Sequence, residues 1–150
     1  VFEFQTVRDV IDFAISLERV SQNFYKQLAE EVVDDGVHQF LLQMAQQEAI
    51  HEEQLRSVLE GGADDLSNEI DPGEIQSYVQ AMEVPDVLDY KRAVKIAYDK
   101  EKASQMLYLI LSDAAEAEYI KRLLKLLAKQ EQRHKEFFAR EYDRIRLSEN

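Results

Sequence analysis

Glu48-x-x-His51 and Glu131-x-x-His134 each place a carboxylate and an imidazole three residues apart. On a helix that spacing sets the two side chains about 60° apart around the axis and ~4.5 Å along it, so both can reach one ion. Thirty residues before each pair stands a lone glutamate, Glu18 before the first and Glu101 before the second. All six residues fall within apolar stripes of helical period, where an uncompensated carboxylate is costly and four converging carboxylates repel one another. Two divalent cations neutralise four glutamates, and two neutral imidazoles add no charge. A bundle with buried polar pairs and no metal is the plainer alternative, but it leaves four buried acids to be accommodated. Metal ligation by Glu18, Glu48, His51, Glu101, Glu131 and His134 is therefore the chemistry this pattern predicts.

Four helices must carry these residues, because four seams run in alternating steps of three and four. The first is Ile11, Ala14, Glu18, Ser21, Tyr25 and Leu28; the second is Leu41, Met44, Glu48, His51, Leu55 and Val58. The third is Val94, Ala97, Glu101, Ser104, Tyr108 and Leu111, and the fourth is Ile120, Leu124, Leu127, Glu131, His134 and Phe138. Gly36, after Asp34 and Asp35, is read as the tight turn between the first two, and a polar, alanine-rich break at 112–116 separates the last two. Both prolines, Pro72 and Pro85, and the glycines Gly61, Gly62 and Gly73 fall between, marking a long crossover. Within it, Asp71-Pro72-Gly73-Glu74 predicts the start of one short helix.

A shift of 83 residues lays the first hairpin on the second without a gap: Glu18 on Glu101, Gln22 on Gln105, Tyr25 on Tyr108, Glu48 on Glu131 and His51 on His134. Counting from the turn near Asp34, Glu18 and Glu48 differ by only about 3 Å in height, and Glu101 and Glu131 match as well about Ala115. The expected fold is all-α, a four-helix bundle of two hairpins joined by the crossover, forming a single domain over 1–150.

Composition narrows the chemistry. The 150 residues carry a formal charge of -12, which argues against nucleic acid and anionic membrane surfaces as partners. There is no cysteine, so disulfides, cysteine-held zinc or iron-sulfur clusters and thiol catalysis are excluded, leaving oxygen and imidazole as ligands. No apolar run reaches the ~18 residues of a membrane helix, and Val1 to Gln5 has no signal-peptide pattern, which predicts a soluble, cytoplasmic protein. Met44, Met82 and Met106 are all internal, so a segment preceding Val1 stays an open alternative.

Taken together, Glu18, Glu48-x-x-His51, Glu101 and Glu131-x-x-His134 resemble the ferritin-like di-iron carboxylate superfamily, most closely its rubrerythrin-type members, over nearly the whole chain. The resemblance implies a ferritin-like four-helix bundle with two iron ions, Glu48 and Glu131 bridging them, Glu18 with His51 and Glu101 with His134 as terminal ligands. Manganese suits the same donors, zinc less so. It further implies an oxidoreductase acting on hydrogen peroxide or dioxygen. Oxidation of Fe²⁺ for storage or transfer is the alternative, and a helical interaction module without turnover a second. Two departures stand out: rubrerythrins carry a further glutamate on the third helix close to its ligand, whereas here Ser104 lies one turn after Glu101 and Tyr98 one turn before, and the cysteines of a rubredoxin-like relay are missing. Electrons for turnover are thus expected from an external donor protein. A homodimer is the default assembly.

Tyr25 and Tyr108 lie seven residues beyond Glu18 and Glu101, on the same face, where a phenol can hydrogen-bond a ligand carboxylate or pass an electron; a plain core role is the preferred alternative. Gln22, Gln47, Gln105 and Gln130 recur in the repeat and can orient ligands, but glutamine is common on helices, and the plain reading is preferred. His38, about 140° from His51 around its helix, is turned off the metal face. The acid pairs Glu30-Glu31, Asp34-Asp35, Glu52-Glu53 and Asp64-Asp65 read as solvated faces and turns, and Phe2, Phe4 and Phe137 as apolar residues compatible with a dimer contact.

Overall fold

The structure, a computed structural model, describes residues 4–61, 64–80, 83–84 and 89–149, without the side chains of Asp64 and Asp65. Phe2, Gly62, Met82 and Pro85 lie outside the described residues. Among these residues the structure is helical: α1 Val7–Glu31, α2 Asp35–Glu60, a 3₁₀ turn Asp64–Ser67, α3 Pro72–Val79, α4 Tyr90–Ala114 and α5 Glu118–Ser148. None of the helices is long and apolar enough to cross a membrane. The chain forms two compact units, Val1–Ile70 and Asp71–Asn150, and each holds one of the predicted hairpins.

In the first unit α1 starts on a capping box. The Asp9 N–H donates to Thr6 Oγ1, and the Thr6 N–H donates back to Asp9 Oδ2. The turn to α2 is Val32–Asp34, so Gly36 is not the turn that the sequence suggested but already lies inside α2. Asp34 is the reason: two residues before the glycine, its carboxylate accepts from the Val37 N–H at 2.9 Å and caps a helix that begins at Asp35. His38 Nδ1 lies 2.7 Å from the Ala29 carbonyl, tying α2 to the last turn of α1 and well away from His51. The 3₁₀ turn, which no periodicity announces, is fastened to the start of α1 by Val7 N–H to Asn68 O and Ile70 N–H to Gln5 O, both 2.9 Å. Phe4 is buried against Phe13, ring centroids 5.0 Å apart, and so is core where the sequence allowed a surface contact.

In the second unit α3 begins as predicted, with Asp71 capping and Pro72 in the first turn, and its Ile75 is fully buried. Asp89 caps α4 by accepting from the Arg92 N–H at 2.8 Å. Helix α5 has no side-chain cap; instead Lys121 Nζ donates to the Ser112 carbonyl at 2.9 Å and Ser112 Oγ to the Lys121 carbonyl at 3.2 Å, stitching the end of α4 to the start of α5. A cation on the last carbonyls of α4 also suits the helix dipole. Farther along, the Tyr90 hydroxyl and Arg144 hold the buried Glu141.

All 24 seam residues named from the sequence are buried. Helical period therefore decided which face of each long helix turns inward.

Candidate metal centre

In the first hairpin Glu18 is on α1 and Glu48 and His51 on α2, with 2%, 0% and 1% of their surface exposed. The antiparallel register brings them level, as the count from the turn required, and each offers a ligand atom within 4.8 Å of the others. His51 Nδ1 lies 3.6 Å from Glu18 Oε2 and 3.5 Å from Glu48 Oε1. The second hairpin repeats this arrangement: Glu101 on α4, with Glu131 and His134 on α5, all buried, and His134 Nδ1 3.4 Å from Glu101 Oε1 and 3.7 Å from Glu131 Oε1.

These separations exceed the 2.7–3.2 Å of a well-formed N–H···O hydrogen bond. They suit donors converging on a common ion, since two atoms each about 2.1 Å from a cation and about 110° apart stand about 3.4 Å from each other. The donor chemistry agrees. Two carboxylates and one imidazole per hairpin form an oxygen-rich set suited to ferrous or manganous ions. Burial works to raise the Glu101 carboxyl, but the His134 imidazole and the neighbouring Glu131 and Lys100 side chains outweigh it and hold Glu101 well below the usual carboxylate range. That carboxylate is ionised and ready to ligate at neutral pH.

Tyr25 and Tyr108 are buried in the seams of α1 and α4, 0% and 1% exposed, about 10 Å along the axis from Glu18 and Glu101. Ser104, one turn from Glu101, is also buried.

Three residues flanking the triads escaped the sequence reading. Glu52 is not a solvated acid: Arg19 Nη2 donates to it at 2.7 Å, Arg56 Nε at 2.9 Å and Gln22 Nε2 at 2.9 Å. Its desolvation works to raise its pKa, yet these three donors bring it down to about 2. Lys135 Nζ donates to Gln105 Oε1 at 3.0 Å, so Gln22 and Gln105 have defined partners and are not generic helix residues. Lys100, beside Glu101, is only 1% exposed. The 83-residue repeat held the signal for all three, because it aligns Glu52 with Lys135 and Leu17 with Lys100, each a charge-altering pair next to a ligand.

Comparison with known proteins follows the same lines. The rubrerythrin family model matches residues 9–142. A crystal structure of a Thermotoga maritima protein described as ferritin-like and diiron-carboxylate superposes with a TM-score of 0.77 at 24% identity, covering 94% of this chain and 97% of that one. A hypothetical protein from Pyrococcus furiosus superposes with a TM-score of 0.71 at 21% identity, covering 91% and 88%. No curated protein matches the sequence.

Proposed function

The chain belongs to the rubrerythrin family and has the ferritin-like fold, and from that premise we propose that it is a di-iron oxidoreductase that reduces hydrogen peroxide or dioxygen. The observation that carries this reading is the pair of matching buried triads, Glu18–Glu48–His51 and Glu101–Glu131–His134, each with its histidine Nδ1 3.4–3.7 Å from two carboxylates. On this reading residues 1–150 work as one domain in which Glu18, Glu48 and His51 of the first hairpin and Glu101, Glu131 and His134 of the second would hold the iron.

When bound, two ferrous ions supply one electron each, so that one hydrogen peroxide and two protons become two waters. The chain's own residues set the conditions for that exchange. Four glutamates on rigid helices hold the ions without help from mobile loops, and a carboxylate can bind through one oxygen or two as charge changes. One imidazole per triad adds a neutral donor, so the ligand set balances two divalent ions. Aliphatic seam residues above and below each triad, such as Leu41, Leu55, Leu124 and Leu127, keep bulk water away from the carboxylates. Tyr25 and Tyr108 place phenols in the same seams, where they brace the helices and can relay charge. These 150 residues carry no cysteine, so electrons that restore the ferrous state come from outside them.

Metal analysis after anaerobic loading with Fe²⁺, followed by titration with peroxide under absorption spectroscopy, tests the proposal. Two irons per chain, oxidised together by one equivalent of peroxide and remaining bound, is the expected result. Release of Fe³⁺ after each oxidation would favour iron handling, a reading consistent with Ser104 and Tyr98 standing one turn either side of Glu101 where the family carries an extra glutamate close to its ligand. Failure to retain iron would leave a helical module.

A further inference from the structure

Beside each triad, a glutamine on the helix of the lone glutamate bonds to the residue that follows the histidine on the other helix. Gln22 Nε2 donates to Glu52 Oε1 at 2.9 Å in the first hairpin, and Lys135 Nζ donates to Gln105 Oε1 at 3.0 Å in the second. We propose that Gln22 and Gln105 are positioning residues of the metal centre. Each bridge holds its lone glutamate level with the Glu-x-x-His pair before an ion arrives, so that the triad takes up metal as a preassembled set. This rests on the metal-binding reading above.

The placement follows from the helices. Gln22 is one turn beyond Glu18 on α1 and Glu52 one turn beyond Glu48 on α2; Gln105 and Lys135 stand in the same relation to Glu101 on α4 and Glu131 on α5. In an antiparallel hairpin those two steps run in opposite directions, so the bridging residues straddle the level of the ligands. Side chains on a helix lean toward its N-terminus, which brings the two back toward each other across that level. Each bridge is therefore a diagonal brace. It resists sliding of one helix along the other, the motion that would take Glu18 out of level with Glu48. The restraint matters because paired carboxylates repel each other while no cation lies between them. Both bridges are partly buried, where a hydrogen bond is stronger than in open water. The two hairpins also separate bridge from charge. The repeat sets Lys135 where Glu52 stands, a base for an acid, yet keeps the glutamine, whose amide donates to the one and accepts from the other. What both hairpins share beside the histidine is thus the bond between helices and not a sign of charge. Ligands held ready lose less freedom on binding, which strengthens metal uptake. In the first hairpin Arg19 adds a second bond from α1 to Glu52 at 2.7 Å, so the second hairpin is the cleaner test.

The test is titration with Mn²⁺, following the free ion by its room-temperature paramagnetic resonance signal, on variants that circular dichroism shows to be folded. Gln105→Met removes the bridge without changing charge. It should weaken at least one binding step about tenfold, the lower end of the effect of groups that orient metal ligands, while full occupancy is still reached at excess Mn²⁺. In a Lys135→Met background, where the bridge is already lost, the same substitution should leave affinity unchanged; the charge of Lys135 itself cancels between the two backgrounds. Gln22→Met should act in the same direction by a smaller factor. Unchanged affinity in folded Gln105→Met overturns the inference and leaves the metal centre intact, and a lower melting temperature alongside it would mark a bridge that serves the fold only. Equal weakening in both backgrounds also overturns it. An ion missing at excess Mn²⁺ would make the glutamine a ligand and overturn its positioning role. If Gln105→Met does not fold, Gln22→Met decides by the same comparison in a Glu52→Met background. No binding of Mn²⁺ or Fe²⁺ by the unaltered chain would overturn the metal-binding reading and the inference with it.

Discussion

The Gln22 side-chain amide donates to the Glu52 carboxylate at 2.9 Å, joining the middle of α1 to α2 one residue beyond the His51 ligand position. Arg19 closes on the same carboxylate from α1 and Arg56 from within α2, so Glu52 is held by three donors.

That cluster makes the stability of the first hairpin depend on acid. Glu52 ionises at about 2 in the folded chain against an ordinary 4.5, so the folded state binds fewer protons than the unfolded one between those values. Its contribution is fully present above about 4.5 and is lost as pH falls toward about 2. Glu52→Gln should cost about 1 kcal/mol at pH 7, and the difference in melting temperature from the unaltered chain should shrink steadily below pH 4.5 in metal-free protein. A difference that does not change with pH would show that the charge of Glu52 plays no part.

Metal should stabilise the fold through the triads. Ion at a hundred times its dissociation constant adds about 2.7 kcal/mol, which raises the melting temperature of a chain this size by roughly 5–10 °C. Glu48→Ala and Glu131→Ala should abolish most of that rise on adding Fe²⁺ anaerobically, and elemental analysis should find metal missing. Full metal content in either variant would contradict the ligand assignment.

The tyrosines separate bracing from ligation. Tyr25→Phe and Tyr108→Phe each remove a buried hydroxyl and should lower stability by about 1 kcal/mol without changing the number of ions bound. If a variant lost an ion, the phenol would belong to the metal site itself; if peroxide-driven oxidation slowed with metal content unchanged, a relay role would gain support.

Helix capping gives a control remote from the chemistry. Asp34→Ala removes the acceptor for the Val37 N–H and should cost about 1 kcal/mol, a fall of roughly 2–4 °C in melting temperature, with metal affinity unchanged. A marked loss of metal binding would mean that the turn, and not only the helix register, places Glu18 and Glu48 level.

Much of this protein was legible in its residues alone. Period-3.6 burial singled out all 24 seam residues, and the matched thirty-residue spacing put each glutamate level with its Glu-x-x-His pair, because a straight helix converts residue number directly into angle and height. The start of α2 was misplaced because a capping aspartate and a glycine compete as turn signals, and the structure sides with Asp34. The surroundings of Glu52, Lys100 and Lys135 emerged only in the tertiary structure. A charged residue in a sequence is assigned to solvent by default. Whether it instead meets a partner thirty residues away, as Gln22 meets Glu52 and Gln105 meets Lys135, depends on how two helices rotate and slide against each other, which no local pattern encodes.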